Sequence, residues 1–186
     1  MVNKKLNIIL DLDQTLISAE PSKEFSFTKN KNKVKKFNFH DMIGYYIIFE
    51  RPGLQDFLDY LFKNFNVSVW TAATKEYALF VIEKVILKNS ERKLEYVFHS
   101  EHCKYSKKNA RGPKDLNVLW EIYKLPGYNK KNTIIIDDLK EIFEIQKKNC
   151  INIKPFYFIE ENSNTDDEFK KVKEKLERTR KKFEKD

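Results

Sequence analysis

The sequence predicts an α/β fold in which a parallel sheet is flanked by helices. Short apolar runs occur at residues 8–10, 67–70 and 134–136, and such runs are typical of strands that are buried on both faces of a parallel sheet. Amphipathic helical patterns at residues 54–64 and 77–87 flank the second run. The first and third runs both end in carboxylates, which places acidic residues at one edge of the predicted sheet.

The length of 186 residues suits one domain with a substantial core, and we expect residues 1–186 to form a single domain. Charged residues make up 34% and hydrophobic residues 41% of the chain, values typical of a globular protein. No apolar stretch is long enough to cross a bilayer, and the N-terminus leaves no room for a signal peptide. Two cysteines, Cys103 and Cys150, form no disulfide framework, so we expect an intracellular location, in the cytoplasm or the nucleus.

The net charge of +8 is concentrated near the C-terminus. Residues 169–186 contain nine Lys or Arg and four Asp or Glu. A basic balance favours anionic partners such as phosphoproteins or nucleic acid, and it does not distinguish between them. Apolar residues recur at alternating intervals of three and four in this segment, so we expect a charged helix at about residues 167–185 that docks on the domain.

The first predicted strand ends at two carboxylates, Asp11 and Asp13, followed by Thr15. Residues two apart on an extended segment point to the same side, so these carboxylates can converge on one small ligand. Two such close anions repel unless a cation or a proton offsets them. Mg²⁺ is the natural partner, because it prefers oxygen ligands and is often held by one or two carboxylates together with a substrate phosphate.

A polar loop is predicted at residues 18–33, followed by strands at residues 34–39 and 45–51 that are joined by a hairpin turn. These strands form a small β insertion at about residues 34–51, which we expect to lie over the mouth of the site. The insertion ends at Arg51, for which two interpretations stay open: a phosphate contact, or an exposed structural arginine.

Thr71 lies where the second predicted strand opens into a helix. A hydroxyl and free backbone N–H groups at the start of a helix form a site for phosphate oxygens. Thr74 is the better candidate for the helix cap. Residues 104–111 read as a basic, flexible segment. The strand at residues 133–136 then repeats the pattern of the first strand, because it ends in Asp137 and Asp138.

These patterns resemble the motifs of the haloacid dehalogenase (HAD) superfamily of phosphotransferases, in the right order and over roughly residues 6–160. The segment Leu10-Asp-Leu-Asp-Gln-Thr-Leu16 is similar to motif I of the FCP/SCP branch, the NLI-interacting-factor-like phosphatases that act on the C-terminal domain of RNA polymerase II and related phosphoproteins. Trp70-Thr-Ala-Ala-Thr74 resembles motif II, Lys114-Asp-Leu116 motif III and Asp137-Asp138 motif IV. The resemblance implies a HAD-like Rossmannoid parallel sheet with a small β insertion after the first strand.

The resemblance also implies a reaction, Mg²⁺-dependent hydrolysis of a phosphomonoester through an aspartyl-phosphate intermediate. Asp11 would be the nucleophile. Asp13 would be the general acid that protonates the leaving alkoxide, and then the base for the attacking water. Thr71 and Lys114 would hold the phosphoryl oxygens and stabilise the charge that develops on them.

The same resemblance implies the metal ligands. Mg²⁺ would be held by Asp11, by the backbone carbonyl of Asp13 and by Asp138, with phosphate and waters completing the octahedron. Asp137 would orient Lys114 without contacting the metal directly, although Asp137 and Asp138 could exchange these roles.

The absence of a large cap in the sequence suits a bulky substrate. The resemblance therefore implies a protein serine/threonine phosphatase of the CTD-phosphatase type, whose partner is a phosphorylated protein or peptide such as the C-terminal domain of RNA polymerase II. One alternative is a nucleic-acid 3′-phosphatase, which the basic tail and the basic segment at residues 104–111 would suit. A second alternative is a non-catalytic phosphoprotein-binding module, against which the retained acids argue.

Overall fold

The computed structural model describes residues 5–185, which form two sheets and their flanking helices. The larger sheet has five parallel strands, in the order β6 (Val97–Phe98), β5 (Asn66–Trp70), β1 (Asn7–Leu10), β7 (Thr133–Asp137) and β8 (Cys150–Asn152). Strand β1 is central, and its Leu10 pairs with Val69 of β5 and Ile136 of β7. The carboxyl ends of these three strands therefore meet at one edge. The predicted α/β fold is confirmed.

Alternation along β1 explains why the sheet is covered on both faces. Ile8 and Leu10 belong to one buried apolar cluster, whereas Ile9 belongs to the cluster on the opposite face. Within residues 5–185 the α-helices are α1 (Lys31–Val34), α2 (Leu54–Asn64), α3 (Lys75–Val81), α4 (Ser100–Asn109), α5 (Lys140–Ile145) and α6 (Glu168–Phe183). Helix α3 continues as a π-helical turn at Ile82–Ile86, and a second π-helical turn lies at Val118–Ile122.

The smaller sheet is antiparallel, and its strands are β2 (Ile17–Pro21), β4 (Tyr46–Glu50) and β3 (Phe39–Met42), in that spatial order. The sequence predicts a loop from residue 18 and a strand from residue 34; both predictions are wrong. After Asp13 the chain makes a short turn at residues 14–16 and enters β2, and Ile17 through Pro21 pair along the whole of β4. Val34 ends helix α1 instead. The insertion therefore starts much closer to the first motif than its sequence suggests.

Helix α6 docks through its apolar stripe, as its sequence predicts. Phe169, Val172 and Leu176 are buried in the same cluster as Leu10. The ring of Phe169 stacks on that of Phe57 in α2, with centroids 4.3 Å apart. Most of the lysines and arginines of the helix remain on its solvent side.

The basic segment at residues 104–111 differs from its prediction, since most of it belongs to helix α4. The hydroxyl of Ser106 donates to the carbonyl of Gly112 at 2.7 Å and ties the end of the helix to the loop that follows. Across residues 5–185, no helix combines the length and the apolar character that crossing a bilayer requires.

Candidate active site

Strand ends bring the first and last acidic pairs together at the carboxyl edge of the sheet. Asp11 follows β1 directly, and its backbone N–H donates to the carbonyl of Ile136 at 3.1 Å. Asp137 ends β7 and Asp138 follows it. One oxygen from each of Asp11, Asp137 and Asp138 lies within 4.8 Å of the others. Asp11 and the second acidic pair, which are far apart in the sequence, therefore share one site.

Thr15 connects these two pairs. Its hydroxyl lies 3.1 Å from Oδ2 of Asp11 and 3.3 Å from Oδ1 of Asp138. The tight turn that returns Thr15 toward Asp11 requires Gln14 to take a left-handed backbone conformation, with φ of 57°. Thr15 is fully buried, so its contact with Asp11 is shielded from water.

Lys114 lies between Asp11 and Asp137. Its Nζ is 2.5 Å from Oδ1 of Asp11 and 2.8 Å from Oδ2 of Asp137, and the residue is 2% exposed. Burial disfavours the charged ammonium, but the two carboxylates outweigh that effect and raise the pKa of Lys114. The lysine therefore remains a cation inside the site.

The Asp137–Asp138 pair is held from several sides. The backbone N–H of Leu139 donates to Oδ1 of Asp137 at 2.9 Å, and the amide of Asn152 donates to the backbone carbonyls of both aspartates. Burial, with the charge of Asp11 second, raises the pKa of Asp137 and raises that of Asp138 to about 6.

These charges fit a divalent cation. Asp11, Asp137 and Asp138 offer three carboxylates against the ammonium of Lys114. The excess negative charge and the all-oxygen donor set match the preferences of Mg²⁺. Asp13 lies outside the group of three acids whose oxygens approach within 4.8 Å, so its carboxylate faces elsewhere.

Asp13 faces Tyr77 of helix α3. The phenol of Tyr77 donates to Oδ1 of Asp13 at 2.5 Å. Burial raises the pKa of Asp13 to about 6; the hydrogen bond from Tyr77 opposes this shift and the charge of Asp11 adds to it. A carboxyl with this pKa can hold or release a proton near neutral pH.

The two threonines after β5 have separate structural positions. Thr71 is fully buried at the end of the strand, and its Oγ1 accepts from the backbone N–H of Ala73 at 3.0 Å. Thr74 caps helix α3, because its hydroxyl accepts from the N–H of Tyr77 at 3.3 Å, and this prediction is confirmed.

Arg51 matches neither sequence interpretation. Its guanidinium is fully buried and forms two hydrogen bonds with Asp166, at 2.7 and 2.8 Å. It also donates to the carbonyls of Thr15, at 3.1 Å, and Lys154, at 2.9 Å. The arginine therefore links the first motif to the segment before α6 through buried hydrogen bonds.

An open cavity of about 750 Å³ adjoins Asp13 and is lined by the insertion and by the start of α3. Its aromatic and aliphatic wall includes Met42, Tyr45 and Tyr46, and Tyr45 is 67% exposed. Among the described residues that line the cavity, none is a lysine or an arginine. Glu76 and Asp13 are its charged residues.

Sequence reasoning did not single out Tyr77 beyond its helical periodicity. It is the sixth residue after Thr71, and only the fold brings it to Asp13. Asn152 was also not identified, because its partners are backbone carbonyls that leave no trace in the sequence.

A five-stranded parallel sheet of this order, flanked by helices, is a HAD-like fold. The family model of NLI interacting factor-like phosphatases matches residues 6–186, and the chain belongs to that family.

The chain is similar to proteins of two invertebrate iridescent viruses. It is 49% identical over 177 residues to a putative CTD phosphatase-like protein of Invertebrate iridescent virus 6, covering 92% of this chain and 97% of that protein. It is 43% identical over 185 residues to the corresponding protein of Invertebrate iridescent virus 3, covering 94% and 97%.

A solved structure supports the fold. The RNA polymerase II CTD phosphatase Fcp1 of fission yeast, bound to beryllium fluoride, matches with a TM-score of 0.58 and 20% sequence identity. The match covers 96% of this chain and 51% of the Fcp1 chain, so the chain spans about half the length of that structure.

Proposed function

We propose that the protein hydrolyses phosphomonoesters through an aspartyl-phosphate intermediate, as a protein serine/threonine phosphatase of the CTD-phosphatase type. The observation that carries this proposal is the position of Asp11, whose two carboxylate oxygens contact Lys114 and Thr15 at the edge where the second acidic pair arrives. A nucleophile held in this way is oriented before it reacts.

In the first step an oxygen of Asp11 forms a bond to phosphorus while the bond from phosphorus to the serine or threonine oxygen breaks. Asp13 gives its proton to the leaving alkoxide. In the second step water attacks the phosphorus of the aspartyl phosphate, Asp13 takes a proton from that water, and inorganic phosphate leaves with Asp11 regenerated. The raised pKa of Asp13, about 6, supports both the donation and the uptake of the proton.

Lys114 and Thr71 complete the phosphate site in this proposal. The ammonium of Lys114 is already in contact with Asp11 and offsets charge on the phosphoryl oxygens as it develops. Thr71 lies at the end of β5, beside β1, with its Oγ1 accepting one backbone N–H and its own proton available to a phosphate oxygen.

Mg²⁺ would be held by Asp11, by the backbone carbonyl of Asp13 and by Asp138, where it would neutralise the carboxylates and polarise the phosphate. Asp137 would orient Lys114, which the contact of 2.8 Å between them supports.

A phosphorylated protein or peptide is the substrate class that the mouth supports, the C-terminal domain of RNA polymerase II among them. The aromatic and aliphatic wall formed by Met42, Tyr45 and Tyr46 suits apolar side chains beside the phosphorylated residue. A nucleic-acid 3′-phosphatase would need lysines or arginines along the path of the nucleic-acid backbone. The residues that line the cavity near Asp13 are instead acidic or uncharged. An intracellular location fits the two buried thiols, Cys103 and Cys150.

The test compares phosphoserine peptides with a 3′-phosphorylated oligonucleotide, with Mg²⁺ and across a salt series. We expect faster turnover of the peptides, and a loss of at least about 1000-fold in turnover for Asp11→Asn. Asp167→Asn, which alters an exposed carboxylate at the start of α6, is the matched control and should keep full turnover. Full turnover by Asp11→Asn would exclude the nucleophile, and absence of hydrolysis in the wild type would favour the non-catalytic binding module.

A further inference from the structure

The backbone of Lys114 has an unusual conformation. Its φ is 55°, in the left-handed region that residues with a side chain seldom adopt. Such a conformation persists only where surrounding contacts hold it. Lys114 is 2% exposed, so its carbonyl and the neighbouring N–H groups need partners within the protein.

Gln146 supplies those partners. Its side-chain Nε2 donates to the carbonyl of Lys114 at 3.0 Å, and its Oε1 accepts from the backbone N–H of Leu116 at 3.0 Å. One buried amide therefore holds the backbone on both sides of Asp115, through the carbonyl of Lys114 and the N–H of Leu116. Gln146 is 8% exposed, and both hydrogen bonds are shielded from water.

Gln146 lies on the segment that follows the second acidic pair, immediately after helix α5. The loop of Lys114 and the segment that starts at Asp137 are thus joined at two points. One is the contact of 2.8 Å between Lys114 and Asp137, and the other is the amide of Gln146.

The remainder of the loop is held independently. Asp115 accepts from the backbone N–H and the guanidinium of Arg111, and its own N–H donates to Ser106 at 3.0 Å. Loss of the Gln146 amide would therefore free the backbone of Lys114 while these contacts keep the loop attached to α4.

We propose that Gln146 is a positioning residue, which keeps the ammonium of Lys114 between Asp11 and Asp137 for phosphoryl transfer. The inference rests on the proposed function, and it goes beyond that function by assigning the geometry of Lys114 to a side chain on a different segment. Gln146 touches neither phosphate nor metal in this scheme and acts through Lys114.

The experiment uses the full chain with Gln146→Met, which keeps the length of the side chain and removes both hydrogen bonds. Gln146→Glu is the second variant, because it keeps the acceptor for Leu116 and loses the donor to Lys114. Gln55→Met is the matched control, because the amide of Gln55 in helix α2 also holds a backbone carbonyl, that of Val85 at 3.2 Å.

For Gln146→Met we expect kcat for p-nitrophenyl phosphate with Mg²⁺ to fall by about 10- to 100-fold, the usual effect of losing a side chain that orients an active-site group. Gln146→Glu should show a similar fall in kcat. Gln55→Met should keep the kcat of the wild type, even if its melting temperature falls as far as that of Gln146→Met. In a Lys114→Met background, Gln146→Met should change kcat by less than about twofold, since the group it positions is gone.

Unchanged kcat in Gln146→Met, or a loss that multiplies fully with that of Lys114→Met, would overturn the inference. A crystal structure of Gln146→Met gives a readout that needs no activity: Lys114 should leave the left-handed conformation or lose its contact with Asp137, and an unmoved lysine overturns the inference. An inactive wild type would instead reject the proposed function, and the crystal structure would still decide the role of Gln146.

Discussion

Substitution of Arg51 would measure how much its hydrogen bonds between the first motif and the C-terminal part of the chain contribute to the free energy of unfolding. Its side chain is fully buried, and its four hydrogen bonds at 3.1 Å or less reach the carboxylate of Asp166 and the carbonyls of Thr15 and Lys154. In Arg51→Met the methionine would fill much of the same space, but Asp166 and both carbonyls would lose their donors.

Removing one partner of a buried ion pair costs about 3–5 kcal/mol, because the other charge stays buried without compensation. For a chain of this size each kcal/mol lowers the melting temperature by about 2–4 °C, so the expected fall is about 6–20 °C. The side chain of Asp166 is 14% exposed and can gain some hydration, which places the expected loss toward the lower half of that range.

The assay is urea unfolding of the wild type, Arg51→Met, Asp166→Asn and the double variant. The two single losses should not add, and the coupling free energy should be about 1–3 kcal/mol. Lys104→Met is the matched control, because Lys104 pairs with Glu101 on the surface, with side chains 73% and 67% exposed. That change should cost less than about 1 kcal/mol. A loss under about 1 kcal/mol for Arg51→Met, or full additivity with Asp166→Asn, would refute the reasoning.

Three further predictions concern pH, the core and the thiols. Burial raises the pKa of Asp13 and of Asp138 to about 6, so the folded state binds more protons than the unfolded state between about pH 4 and 6. The metal-free protein should therefore lose stability as pH rises through that window. In thermal melts with EDTA, the melting temperature of Asp138→Asn should fall less over that pH range than that of the wild type. An equal fall in melting temperature in both proteins would contradict this. Leu176→Ala should cost about 2–5 kcal/mol in urea unfolding, because Leu176 is 0% exposed on the docked face of α6, and a loss under about 1 kcal/mol would mean that the helix is not docked. Burial, followed by the charge of Asp137, raises the pKa of Cys150 to about 12, so its thiol should not react with Ellman's reagent at pH 8 until urea is added, and rapid labelling of the native protein would contradict that burial.

The features that the sequence predicted depend on local patterns. The strand ending at Asp11 and the strand ending at Asp137 are apolar runs that stop at carboxylates, and each run carries its own signal. Their convergence follows from the geometry of a parallel sheet, which is why the meeting of the acids could be expected before any coordinates. The docked stripe of α6 was predictable for the same reason, since its periodicity lies within one helix.

The features that were missed depend on contacts between distant residues. Ile17–Pro21 is short and partly polar, and it becomes a strand because β4 pairs with all of it. Tyr77 carries an ordinary helical pattern, and its meeting with Asp13 depends on where α3 starts. Arg51 precedes a proline and a glycine in a segment that reads as a surface turn, so its burial could not be deduced without the chain that covers it, Asp166 in particular.

The hairpin between β3 and β4 has a consequence for redesign. Its turn is closed by the N–H of Tyr45 donating to the carbonyl of Met42, with Gly44 at a φ of 81°. Ile43 at the tip is 85% exposed and contributes little to the core. New tips could therefore be grafted onto this turn to reshape the cavity beside Asp13, while Asp11, Asp137, Asp138 and Lys114 at the carboxyl edge of the larger sheet keep their arrangement.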